Sequence, residues 1–192
     1  MRKPFLSLVA CLISFLSSCS EGDPPDGATK AAAPSPTAAP VDARVVDACS
    51  LLTSEEIESI LGEQPRAMTP QMPQSSGELI SQCYFALPTA SNSISLRVLQ
   101  GGTEPGARKA KPLWAETFSK GTSLMRGTGK TGAPRKIDGL GEEAFWVGND
   151  IIGALSVLEG DRYVTISVGG AGGESAKIEK CSAIARIVLS RL

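Results

Sequence analysis

Ile151-Ile-Gly-Ala-Leu-Ser-Val-Leu-Glu-Gly-Asp-Arg-Tyr-Val-Thr-Ile-Ser-Val168 decides the fold. Its two halves alternate in polarity with the two-residue period of a strand, and Gly160-Asp161 between them suits a two-residue primed turn. Closing the turn there sets Glu159 opposite Arg162, Val157 opposite Val164 and Leu155 opposite Ile166. One face then carries Leu155, Val157, Val164, Ile166 and Val168. The other carries Ser156, Leu158, Tyr163, Thr165 and Ser167. A slip of one residue would mix the two sets, so the pattern determines the register.

Working upstream, Ser93–Gln100 alternates in the same way, with Ile94, Leu96 and Val98 inward and Ser93, Ser95 and Arg97 outward. Gln82–Leu87 reads as a strand with Cys83, Phe85 and Leu87 on one side, and a further strand is expected around Glu143–Val147. Lys111–Lys120 reads as a short helix with Trp114 and Phe118 one turn apart. Pro65–Gly77 reads as turns and Gly121–Pro134 as a glycine-rich loop. Downstream, Glu174–Arg191 is an amphipathic helix with the stripe Ile178, Cys181, Ala185, Val188 and Leu192. The order helix, strand, strand, helix, strand, hairpin, helix predicts an α+β domain, an antiparallel β-sheet with flanking helices.

The domain opens at Asp47-Ala-Cys-Ser-Leu-Leu-Thr-Ser-Glu-Glu-Ile-Glu-Ser-Ile-Leu-Gly62. Thr53 and Glu56 form a capping box, Leu52 and Ile57 a hydrophobic staple, and Gly62 supplies the left-handed stop.

Among 192 residues the formal net charge is -1 and there is no histidine. Loss of residues 1–18 would remove Arg2 and Lys3 and no acid. So mild a charge gives no reason to expect nucleic acid or an anionic membrane surface as partner. Without histidine there is no Ser-His or Cys-His nucleophile and no His-ligated metal.

Residues 1–18 combine a basic start with the short apolar run Phe5–Leu16, the pattern of a signal peptide. They end in Leu16-Ser-Ser-Cys19, which resembles a bacterial lipobox. That resemblance implies cleavage before Cys19, lipidation of its sulfur, and a membrane anchor in the cell envelope. Ser20 in the next position implies sorting to the outer membrane, facing the periplasm. Residues 19–42 then hold the lipidated cysteine and a disordered Pro/Ala-rich tether, of which positions 20–42 reach roughly 25–30 Å. Residues 43–192 are the single folded domain.

Export predicts an oxidising compartment. With Cys11 cleaved off and Cys19 acylated, Cys49, Cys83 and Cys181 remain, so one is odd. Cys181 lies on the apolar stripe of the last helix, as a small buried hydrophobe would. We therefore expect a Cys49–Cys83 disulfide worth roughly 3–4 kcal/mol, with Cys49–Cys181 as its rival.

Several motifs invite chemistry. Gly129-Lys130-Thr131 lacks the earlier glycine and the following helix of a phosphate loop. Gly169–Gly173 precedes a helix, where amides can hold an anion, but no strand follows to build a dinucleotide fold. Glu55-Glu56 and Glu142-Glu143 are adjacent in sequence and so point apart. Arg108, Lys109, Lys111, Arg126, Lys130, Arg135 and Lys136 make the middle third basic, with no aromatic interleaving to suggest nucleic acid.

Asp47-x-Cys49-x-Leu51-Leu52-Thr53, a helix, and then Cys83-Tyr84 resemble a class of small bacterial lipoproteins of unknown function. The resemblance implies an envelope location and a PsbP-like sandwich of an antiparallel sheet between helices. It implies no activity, cofactor or catalytic residue. The polar strand face here speaks against helices covering both sides. The expected role is a non-catalytic domain that binds or scaffolds another envelope component. The alternative is a small-molecule or lipid-binding domain with a pocket lined by Trp114, Phe145, Trp146 and Tyr163. An enzyme of unrecognised type comes third.

Overall fold

The computed structural model describes residues 45–71, 78–102, 105–119 and 133–192. Cys19, the tether and Gly129-Lys130-Thr131 lie outside them.

The chain enters through a 3-10 turn, Ala48–Leu51, held by the Asp47 carboxylate, which accepts from the Cys49 N–H at 2.9 Å. Helix α1, Ser54–Leu61, follows with the expected capping box and with Gly62 in the left-handed conformation at φ 79°. Leu52 and Ile57 are both buried. The strands are β1 (Ala67–Gln71), β2 (Leu79–Ala86), β3 (Ser93–Gln100), β4 (Arg135–Lys136), β5 (Glu143–Gly148), β6 (Gly153–Glu159) and β7 (Arg162–Val168). Helix α2 spans Ala110–Ser119 and α3 spans Glu174–Leu189. Among the described residues the strands form one antiparallel sheet in the order β1-β2-β3-β7-β6-β5-β4, so the α+β class holds.

The hairpin register is the expected one: Leu155 pairs with Ile166, Val157 with Val164 and Glu159 with Arg162. β3 lies between β2 and β7. Two strands escaped the sequence reading. β1 occupies part of the stretch read as turns, and all five of its residues are exposed. It contains Pro70, which fits only an edge strand or a bulge. β4 is a two-residue pairing of Arg135 and Lys136 with β5.

The sheet has two covered faces. On the first, α3 lies over β6 and β7, and the 3-10 turn lies over β2 and β3. Ile57, Phe85, Ile94, Leu96, Trp146, Val157, Val164, Ile166 and Ile184 close this main core. Arg191 ties the two ends of the cover together, donating to the Leu51 carbonyl and to both oxygens of Glu56 at 2.8 and 2.5 Å. Arg162 donates to the Leu192 carbonyl at the same end of the sheet.

On the second face, α2 covers Leu99, Leu158 and Tyr163 and makes a smaller core with them. The expectation that helices would cover one side only is therefore corrected. The second face is polar at Ser156 and Thr165 and apolar at Leu99, Leu158 and Tyr163, and α2 sits over the apolar end. Asp161, in the hairpin turn, fixes it there. Its Oδ1 accepts from the Ala110 N–H at 2.9 Å, one of the donors a helix leaves open in its first turn.

Candidate functional site

α2 has two working flanks because residues four apart share a side of a helix. Trp114 and Phe118 look toward β5; Leu113 and Thr117 look toward β2 and β3.

The first flank is an aromatic cluster. Trp114 meets Phe118 at 4.3 Å and Tyr163 edge-on at 5.1 Å, and Phe118 stacks on Phe145 at 4.9 Å. The Trp114 indole N–H donates to Glu143 Oε2 at 2.7 Å. With Trp114 4% and Tyr163 5% exposed, these rings fill one another's space as core. The four-aromatic pocket expected from sequence is not assembled. Phe145 and Trp146 are neighbours in β5, so their side chains leave the sheet on opposite sides. Trp146 sits in the main core, against Gly153.

The second flank is a groove of about 170 Å³. Ile80, Leu99 and Leu113 give its apolar wall, and Arg97, Thr117 and Tyr163 its polar one. Glu78 adds a carboxylate, bound by Arg108 at 3.2 Å, and Arg108 also reaches Glu116 at 2.7 Å. Three buried side-chain polar atoms among the described residues lack a hydrogen-bond partner: Arg97 Nε, Tyr163 Oη and Trp146 Nε1. Two of the three belong to this groove. Burial raises the Tyr163 pKa above its ordinary value. The hydroxyls of Ser156, Thr165 and Thr117 and the charge of Arg97 temper that shift without giving the phenol a hydrogen bond of ordinary geometry. Arg97 points outward from the main core, as strand alternation predicts, but its Nε is enclosed. That Nε is enclosed follows from α2 crossing this face of the sheet, which strand alternation does not reveal.

The other sequence candidates have structural partners. The amide end of α3 is occupied by the protein itself: the Glu174 N–H donates to Asp150 Oδ1 at 3.0 Å, and buried Lys177 donates to the carbonyls of Gly170 and Gly172. The basic middle third is largely neutralised, with Lys109 near Asp161, Lys111 on Glu142 and Arg135 near Glu174. Arg126 and Lys130 lie outside the described residues. Glu56, Glu63 and Glu142 are each held below the usual carboxylate range, chiefly by hydrogen bonds from Arg191, Thr89 and Lys111 respectively.

Cys49 and Cys83 form a disulfide and Cys181 is a buried free thiol, so the Cys49–Cys181 alternative is set aside. Burial pushes the Cys181 thiol up to about 12. Among the described residues no cluster of His, Cys, Asp or Glu could hold a metal, and no helix is long and apolar enough to cross a membrane.

No protein-family model, curated protein or solved structure matches the chain.

Proposed function

We propose that the chain is a lipid-anchored lipoprotein of a bacterial cell envelope, held at Cys19 on the outer membrane and facing the periplasm. Residues 43–192 are then a non-catalytic domain that binds or scaffolds another envelope component. The observation that carries the location is the Cys49–Cys83 disulfide, because such bridges persist in oxidising compartments. It clasps the first turn of the domain to β2. Leu16-Ser-Ser-Cys19 supplies the acylation site. Several acyl chains on one residue would anchor stably where one would not.

Glu56, Glu63 and Glu142 are held ionised by Arg191, Thr89 and Lys111, so these three carboxylates serve as structural partners.

A second reading, a small-molecule-binding domain, has its own support in the two unpartnered donors of the α2 groove.

Fractionation tests the anchor: Cys19→Ser should release the protein or stall it as precursor. Recovery of that variant in membranes at mature size would refute it. Crosslinking in intact envelopes, read by mass spectrometry, tests the scaffold role. Crosslinks confined to one face of the domain support it, and none above the background of an unrelated anchored protein refutes it.

A further inference from the structure

We propose that the groove between α2 and strands β2 and β3 binds a small organic monocarboxylate with a short aliphatic body. Its carboxylate sits on Arg97 and Tyr163, and its hydrocarbon on Ile80, Leu99 and Leu113. This deepens the small-molecule reading above and rests on it.

Arg97 has strands on both sides, paired with Gln82 on β2 and Thr165 on β7. Its guanidinium makes no ion pair or hydrogen bond among the described residues, and Nε is buried. The Tyr163 hydroxyl is buried and likewise without a partner. Buried polar groups in folded proteins almost always find partners, and an exception points to a bound water or ligand. Here two exceptions line one groove, and both are donors suited to an anion. The arginine fork matches carboxylate geometry in particular.

The rest of the lining narrows the class. Thr117 already donates its hydroxyl to the Leu113 carbonyl at 2.8 Å. The Glu78 carboxylate is matched by Arg108 at 3.2 Å. Among the described residues of the lining, the charge left without a counter-ion is therefore that of Arg97, and one cation suits one carboxylate. A doubly charged phosphate would also meet repulsion from Glu78. Three aliphatic side chains ask for hydrocarbon. The volume, about 170 Å³, is below the roughly 300–1,000 Å³ of drug-sized sites and restricts the occupant to a few carbons. Burial keeps Tyr163 protonated at neutral pH, so it remains a donor.

Isothermal titration calorimetry on the full chain in detergent decides the matter, with sodium isovalerate, neutral isovaleramide and inorganic phosphate as probes. Isovalerate should bind saturably. The amide, phosphate, and isovalerate on Arg97→Met should each be weaker by about tenfold or more, the loss expected for a charged hydrogen bond. Tyr163→Phe should weaken isovalerate several-fold. Neither variant should melt below the parent, since each removes an unpartnered polar group. Unchanged isovalerate affinity in Arg97→Met overturns the proposal, and so does a lower melting temperature for that variant, which would assign the arginine to folding. If the amide or phosphate binds as tightly as isovalerate, the small-molecule reading stands and the carboxylate class fails. If none of the three binds, both fail, while fractionation and crosslinking still decide the anchored-scaffold reading.

Discussion

Asp161 Oδ1 accepts the backbone N–H of Ala110 at 2.9 Å, so the turn of the β6–β7 hairpin holds the first turn of α2 in place. The same residue accepts from the Gly101 N–H through its carbonyl at 3.1 Å, joining the end of β3 to the turn. One aspartate thus fixes the helix that roofs both the aromatic cluster and the groove.

Asp161→Ala should therefore loosen α2 more than the rest of the domain. Loss of a side-chain acceptor at a helix start is worth about 0.5–2 kcal/mol. Hydrogen exchange should speed up across 110–119 while α3 stays protected. Equal acceleration in both helices would contradict this account of the second face.

Gly153 has no room for a side chain. A Cβ there would stand 2.1 Å from Cζ2 of Trp146. Trp146 is fully buried in the main core, so the indole cannot swing into solvent. Gly153→Ala should cost about 1–3 kcal/mol by overpacking, read from the denaturation midpoint. Trp146→Leu combined with Gly153→Ala should recover part of it, because the two positions share one space.

Much of this fold was legible because the decisive segments alternate without interruption. Leu155, Val157, Val164 and Ile166 could share a face in only one register. The capping residues Thr53, Glu56 and Gly62 are local devices that work the same way in any fold. β1 was not legible, since Ala-Met-Thr-Pro-Gln is exposed at every position and carries no alternation to detect. β4 is too short to have a pattern. The split of Phe145 from Trp146 follows from strand geometry alone and was within reach of the sequence. The enclosure of Arg97 Nε was not, because it depends on where α2 crosses the sheet, which only tertiary contacts decide.

Acid should weaken the domain from the carboxylate side. Glu56 titrates below its ordinary 4.5 in the folded state, first because Arg191 hydrogen-bonds it and then because Thr53 does. A depressed folded pKa contributes stability that is complete above the unfolded pKa and is lost as pH falls through the folded one. Denaturation midpoints should be flat near neutrality and fall below about pH 4.5. Glu56→Gln should flatten part of that fall. An unchanged acid limb in this variant would show that the Arg191 contact contributes nothing to stability.

Cys181 should be chemically silent in the native protein. Its thiol is buried and pushed up to about 12, so almost no thiolate exists at pH 8. Alkylation before and after denaturation, followed by peptide mapping, should label Cys181 only after unfolding. Cys49 and Cys83 should appear as one crosslinked peptide that parts on reduction. A crosslinked peptide containing Cys181, or ready native labelling of it, would contradict the core packing described for α3.

The mass of the mature N-terminus, taken from protein purified out of its own membranes, tests the central claim most directly. The account predicts a chain that begins at Cys19 and carries acyl and diacylglycerol mass on that residue. A chain that keeps residues 1–18, or an unmodified Cys19, would contradict it.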